Sequence, residues 1–97
     1  MYARMTTFSI PLSKSEKAID IYKNSIIPVA EKQAGFAGAY FLVNKNVGKF
    51  ISITMWDTME NAVSNQKSGY FQEQIDKFSD LQLDNPEIEG FEVAAKK

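Results

Sequence analysis

Gly35-Phe36-Ala37-Gly38-Ala39-Tyr40-Phe41-Leu42-Val43-Asn44, then a Lys45-Asn46-Val47-Gly48 turn, then Lys49-Phe50-Ile51-Ser52-Ile53-Thr54-Met55-Trp56 is the stretch that decides the architecture. Two runs of aromatic and β-branched residues split by a glycine-containing turn read as a β-hairpin. Side chains alternate along a strand. The first run therefore sets Phe36, Tyr40 and Leu42 on one face and Ala37, Ala39, Phe41 and Val43 on the other. In the second, Ile51, Ile53 and Met55 share a face, and Phe50, Ser52, Thr54 and Trp56 share its opposite, apolar with hydroxyls interleaved. Neither side of the hairpin is polar, so both expect cover.

Upstream of the hairpin, residues 1–10 read as a strand with Tyr2, Arg4, Thr6, Phe8 and Ile10 on one face. Pro11 ends it, because proline has no amide to donate into a ladder. Ser13 and Glu16 have the spacing of a capping box. The helix that follows carries an apolar stripe of Ala18, Ile19, Tyr22, Ile26, Val29 and Ala30. Pro28 removes the hydrogen bond to the Asn24 carbonyl, which predicts a kink, and Gly35 is placed to close the helix in the left-handed conformation.

Downstream, Asp57 or Thr58 can cap a second helix, with Glu60 near its positive end. Its apolar positions fall in two short stripes, Met59, Ala62 and Val63, then Phe71, Ile75 and Phe78, so a break is predicted at Gly69. Residues 79–87 read as a loop around Asp84-Asn85-Pro86, and residues 88–94 as a last strand with Phe91 and Val93 on one face. The order is β-α-β-β-α-β, an α+β, ferredoxin-like split βαβ arrangement of a four-stranded antiparallel sheet with two helices on one face. Two helices cover one side only. The other side is too apolar to stay wet, which predicts a homodimer through the sheet face.

The 97 residues are expected to make one domain, 1–97. With 11 basic and 12 acidic residues and a net charge of -1, the chain lacks the basic stripe of a nucleic-acid binder, and Arg4 is the only arginine. Aromatic residues on a sheet of this topology also raise RNA binding, but the balanced charge argues against it. No apolar run approaches the roughly 20 residues that span a bilayer, and no signal-peptide pattern is present, so no membrane partner is expected and the cytoplasm is the default location. The sequence contains neither His nor Cys. Imidazole and thiolate chemistry, and with them triads, zinc sites and His-ligated haem, are therefore excluded, and no cofactor is expected.

The Gly35-Phe36-Ala37-Gly38-Ala39-Tyr40 junction, the strand from Gly48 to Trp56 and the acidic helix start from Asp57 to Ala62 resemble the antibiotic-biosynthesis-monooxygenase type of dimeric α+β barrel, in order and spacing over nearly the whole chain. That superfamily includes cofactor-independent quinone-forming monooxygenases, haem-degrading enzymes and small proteins without known activity. The haem-degrading relatives carry an Asn on the first strand and a His on the second helix. Here Thr6 and Thr7 stand on the strand and Asn65 and Gln66 on the helix, which argues against that branch.

The resemblance implies a cleft between sheet and helices, with the strand-ending Trp56 facing it. Phe50, Ser52, Thr54 and Tyr70 are then expected to contact substrate, and Trp56, Arg4, Tyr40, Asn65 and Gln66 to act on it. In a cofactor-independent monooxygenase acting on an aromatic or polyketide-like molecule, Arg4 or Lys49 stabilises a substrate anion. Tyr40 or Tyr70 shuttles the proton, and Trp56 with Asn65 or Gln66 orients the ring. The same residues also have packing readings: Trp56 as a strand-end core residue, Arg4 as an edge charge whose stem covers apolar surface, Asn65 and Gln66 as a solvated helix face. On those readings the chain is a non-catalytic homodimer that binds a small hydrophobic molecule or serves as a stress-response accessory.

Overall fold

The hairpin forms as its sequence predicts. In the computed structural model, which describes residues 1–97 apart from the side chain of Asn85, β2 (Phe36–Asn44) pairs antiparallel with β3 (Lys49–Trp56). β1 (Tyr2–Ser9) lies antiparallel between β3 and β4 (Asp84–Glu92), giving the sheet order β2-β3-β1-β4. Between β1 and β2 run α1 (Ser15–Ile21) and α2 (Ile27–Ala30); between β3 and β4 run α3 (Met59–Lys67) and α4 (Tyr70–Asp76). The helices occupy one face, and the core lies between them and the sheet. This is the split βαβ arrangement. Among the described residues no helix is long and apolar enough to cross a membrane.

One detail of the hairpin overturns an expectation. Phe36 pairs with Trp56 but Gly38 pairs with Met55, so Ala37 is the extra residue of a β-bulge. The bulge turns Phe36 to the helix side, with Ala39, Phe41 and Val43, rather than to the side of Tyr40 and Leu42. Its ring meets Trp56 edge-on at 5.8 Å. The core beyond is largely aromatic: Phe8, Phe41, Phe50 and Phe78 contact one another with centroids 5.3 to 6.3 Å apart, and Tyr22 stacks on Phe41 at 4.2 Å.

The first helical arm differs from its expected form in two ways. The Ser13/Glu16 capping box is not made; a 3-10 turn (Leu12–Lys14) leads into α1 with no side-chain cap. Pro28 does not act alone as a kink either. The turn before it, Tyr22–Ile26, widens to π-helix, and the Ile27 N–H reaches back to the Tyr22 carbonyl. Wider bonding upstream accommodates a proline that cannot donate and would crowd the turn before it. It also explains why the buried positions Ala18, Tyr22, Ile26 and Ala30 recur every four residues, a spacing that would drift around an ideal helix.

At the second arm Thr58 is the cap, its Oγ1 accepting from the Asn61 N–H at 3.1 Å. Gly69 separates α3 from α4 at φ +90°. Gly35, at φ +80°, ends the first arm against Asp57 and Asn61. β4 begins at Asp84, earlier than the predicted Ile88, and stops at Glu92. It is an edge strand, and Pro86 lies opposite the register shift between Thr7 and Ser9, where a missing amide breaks no ladder. The outer face of the sheet carries half-buried Met5, Ile51, Ile53 and Met55 with exposed Tyr40, Leu42 and Phe91.

Candidate functional site

Arg4 stands on β1 in the register of Thr6 and Phe8, which points its side chain under the helices, and only 4% of it is exposed. Its Nη1 donates to the Ala62 carbonyl at 3.2 Å and its Nη2 to Asn65 Oδ1 at 3.0 Å. The guanidinium carbon lies 5.1 Å from the Trp56 ring centroid and 5.0 Å from that of Phe71. Asn65 is held in turn: its Nδ2 donates to Gln33 Oε1 at 3.0 Å. Each of these partners is neutral. Burial pulls the arginine pKa below its usual value, yet a guanidinium stays protonated in proteins. The site therefore contains a desolvated positive charge held by dipoles and ring faces, an arrangement that favours an incoming anion.

Beside Arg4 is a cavity of about 40 Å³, whose polar lining is Arg4, Thr6, Tyr22, Ser52, Thr54 and Gln74, with Phe8, Ile26, Phe71, Ile75 and Phe78 completing the wall. The Tyr22 and Ser52 hydroxyls are 2.8 Å apart, and the Tyr22 hydroxyl also lies 3.4 Å from the Tyr40 carbonyl. Burial raises the Tyr22 phenol pKa, with the Ser52 hydrogen bond opposing the rise, and burial likewise raises that of Tyr70 against the pull of Arg4. Gln74 Nε2 donates to the Tyr70 carbonyl at 3.4 Å, while its buried Oε1 has no partner.

The structure brings Arg4, Asn65 and Trp56 together and sets Ser52 and Thr54 on the cavity wall. Tyr70 is half-buried and within electrostatic reach of Arg4. Trp56 is fully buried, its Nε1 donating to Thr54 Oγ1 at 3.0 Å; it supports the cavity wall from behind and does not line the space. Four expected positions fall elsewhere. Tyr40 projects from the outer face and is 62% exposed, because strand alternation sends it opposite to Phe41. Gln66, next to Asn65 on α3, faces solvent. Phe50 is wholly buried in the aromatic core, stacked on Phe8 at 5.8 Å. Lys49 lies at the far end of β3 beside Asp84 and Glu87.

Sequence reasoning missed Gln33 and Gln74. Gln74 had a legible signal: it falls on the stripe Phe71, Ile75 and Phe78 at helical spacing, a polar residue among apolar ones. Gln33 follows the first arm, and nothing local marks it.

No protein-family model matches the chain, and no curated protein matches it in sequence. Solved structures do match. A monooxygenase from the ActVA-Orf6 gene of Streptomyces coelicolor, in complex with nanaomycin D, superposes with a TM-score of 0.81 at 13% identity, covering 99% of this chain and 89% of its own. The haem degrader MhuD of Mycobacterium tuberculosis, with two haems bound, gives 0.80 at 14% identity over 100% and 99%. SnoaB, a cofactor-independent oxygenase of Streptomyces nogalater, gives 0.72 at 12% identity over 98% and 94%. The chain has the antibiotic-biosynthesis-monooxygenase fold. At such low identities the likeness carries the fold and leaves activity to the residues of the site.

Those residues do not fit haem. The sequence has neither His nor Cys to ligate iron. Tyr22, the phenol on the cavity wall, is engaged with Ser52.

Proposed function

We propose that the cavity beside Arg4 takes a small aromatic molecule in its ionised phenol or enol form, and that with dioxygen as co-substrate the protein acts as a cofactor-independent monooxygenase. The observation that supports this reading is the buried guanidinium with only neutral partners. Each pKa unit by which Arg4 lowers the substrate hydroxyl is worth about 1.4 kcal/mol. An electron-rich ring anion can then reduce dioxygen itself. The ring carbon forms a bond to one oxygen, and a proton completes the hydroperoxide. Loss of the ring C–H proton and cleavage of the O–O bond release water and leave a quinone carbonyl, so one oxygen atom enters the product and the other leaves as water. Tyr70, half-buried on α4 and outside the cavity wall, is the proton donor in this scheme once the neighbouring α4 side chains have moved aside. Asn65 holds Arg4 in place. The matches to a cofactor-independent oxygenase and to a monooxygenase in complex with nanaomycin D agree with the reading.

A cavity of about 40 Å³ has room for a few waters and not for a ring, since a space of about 150 Å³ is what binds benzene. Entry of substrate therefore moves the α4 side chains Phe71 and Ile75. The apolar outer face of the sheet supports a second part of the proposal, that two copies pack sheet to sheet. Oxygen uptake by the purified protein with a dihydroxynaphthalene tests the activity. Uptake that depends on Arg4 is the expected result; a rate unchanged by Arg4→Ala and Trp56→Phe together removes the site.

A second reading is favoured by the complete burial of Trp56, which keeps its ring from the substrate face of the cavity. On this reading the same dimer binds the aromatic anion without turning it over. Thermal stabilisation by the compound with no oxygen consumed would select it.

A further inference from the structure

Gln74 has no task in the oxygenation scheme. It lines the same cavity as Arg4, and only 7% of it is exposed. Its orientation is fixed by chemistry: Nε2 donates to the Tyr70 carbonyl at 3.4 Å, and turning the amide over would set two carbonyl oxygens against each other. Oε1 is therefore the free end, buried and without a donor. No protein donor reaches it, so whatever displaces the few waters the cavity has room for must itself supply a hydrogen. The cavity thus presents two complementary demands. Arg4 offers positive charge and hydrogen-bond donors, and Gln74 requires a hydrogen.

We propose that the site selects an ionised phenol that retains a second, un-ionised hydroxyl, the monoanion of a catechol or hydroquinone type of ring. Arg4 receives the ionised oxygen and Gln74 Oε1 accepts from the remaining hydroxyl. This rests on the reading of Arg4 as the anion-binding group and narrows its substrate class. A phenolate with no second hydroxyl leaves Oε1 unpaired. A dianion sets a negative oxygen against a carbonyl oxygen, and a simple carboxylate has no hydrogen to give. Discrimination follows from the penalty on an unpaired buried group, which rejects an analogue lacking the hydroxyl more strongly than a loose pocket would.

Two probes separate the contributions: nitrocatechol, and nitroguaiacol, in which the second hydroxyl is capped as a methyl ether. Both carry an acidic phenol whose visible band reports binding. With the protein held where that phenol is ionised, nitrocatechol is expected to bind about tenfold tighter than nitroguaiacol. Gln74→Met is expected to bring the ratio close to one while leaving nitroguaiacol within about twofold, and to melt no lower than the parent. Equal affinities for the two probes in the parent protein, both lost in Arg4→Met, would overturn the role of Gln74 and leave Arg4 as anion binder. A preference that survives Gln74→Met overturns it as well, and so does a marked loss of stability in that variant, which would mean that Oε1 is paired. Failure of both probes to bind at all overturns both readings.

Discussion

Asn65→Asp turns the neutral partner of Arg4 into a counter-ion with almost no change of shape. Asn65 Oδ1 already accepts from Nη2 at 3.0 Å, so the new carboxylate forms an ion pair in place. Two unit charges about 4 Å apart attract by about 4 kcal/mol at an effective dielectric near 20. Removing the carboxylate from water takes several kcal/mol of the gross interaction back. Arg4 is already desolvated, however, so only one ion bears a new penalty. The hydrogen bond from Asn65 Nδ2 to Gln33 is lost, but Gln33 can turn its amide to donate, giving up only a 3.5 Å contact with the Val29 carbonyl. The net expectation is a gain of about 1 to 2 kcal/mol at neutral pH, with the melting temperature rising by about 4 to 8 °C per kcal/mol in a domain of this size. The new carboxyl pKa is depressed in the folded state. The gain is therefore fully present above the unfolded value near 3.9 and disappears as pH falls through the folded one. Affinity for a phenolate is expected to fall at least tenfold, because the positive charge is spent internally. Thermal melts of parent and variant across acidic to neutral pH check the first part and a binding titration the second. A variant that melts below the parent at neutral pH would refute the view that Arg4 lacks a counter-ion.

Three other outcomes follow from the geometry. Gly35→Ala should lower the melting temperature by about 10 °C or more: a left-handed non-glycine residue costs about 1 to 2 kcal/mol, and the new methyl would meet Asp57 Oδ1 and sit 2.6 Å from Asn61 Nδ2, adding about 1 to 3 more. Tyr22 and Tyr70 ionise later folded than unfolded, so their contribution is whole below the unfolded value near 10 and is lost as pH rises through the folded ones. Melts in alkaline buffer should show a shallower decline for Tyr22→Phe than for the parent. Leu42→Asp, on the outer face where Leu42 is 46% exposed, should turn a sheet-to-sheet dimer into single copies by sedimentation; a parent that already sediments as one copy removes the dimer.

Much of the fold was legible because its signals are local. Gly35, Gly48 and Gly69 each take positive φ at the ends and breaks where the sequence sets them, and the two runs of the hairpin pair as their alternation predicts. What escaped depended on contacts distant in sequence. The bulge at Ala37 that redirects Phe36 follows from register with β3, and the π turn before Pro28 trades one helical bonding pattern for another. β4 tolerates Pro86 because it is an edge strand, which depends on the order of the sheet. The structure brings Arg4, Asn65 and Trp56 together, residues whose types alone single them out, whereas strand alternation and helix facing turn Tyr40 and Gln66 outward and Phe50 into the core. Gln33 joins the site only because the end of one helical arm meets the middle of the other.

The decisive measurement is the pKa of a bound phenol. A nitrophenol titrated by its visible absorbance, free and in the presence of saturating protein, reports directly how the site values its charge. Binding beside Arg4 should lower the phenol pKa by about one unit or more, equivalent to about 1.4 kcal/mol of preference for the anion, and Arg4→Met should abolish the shift. A bound phenol whose pKa is unchanged or raised would contradict the account.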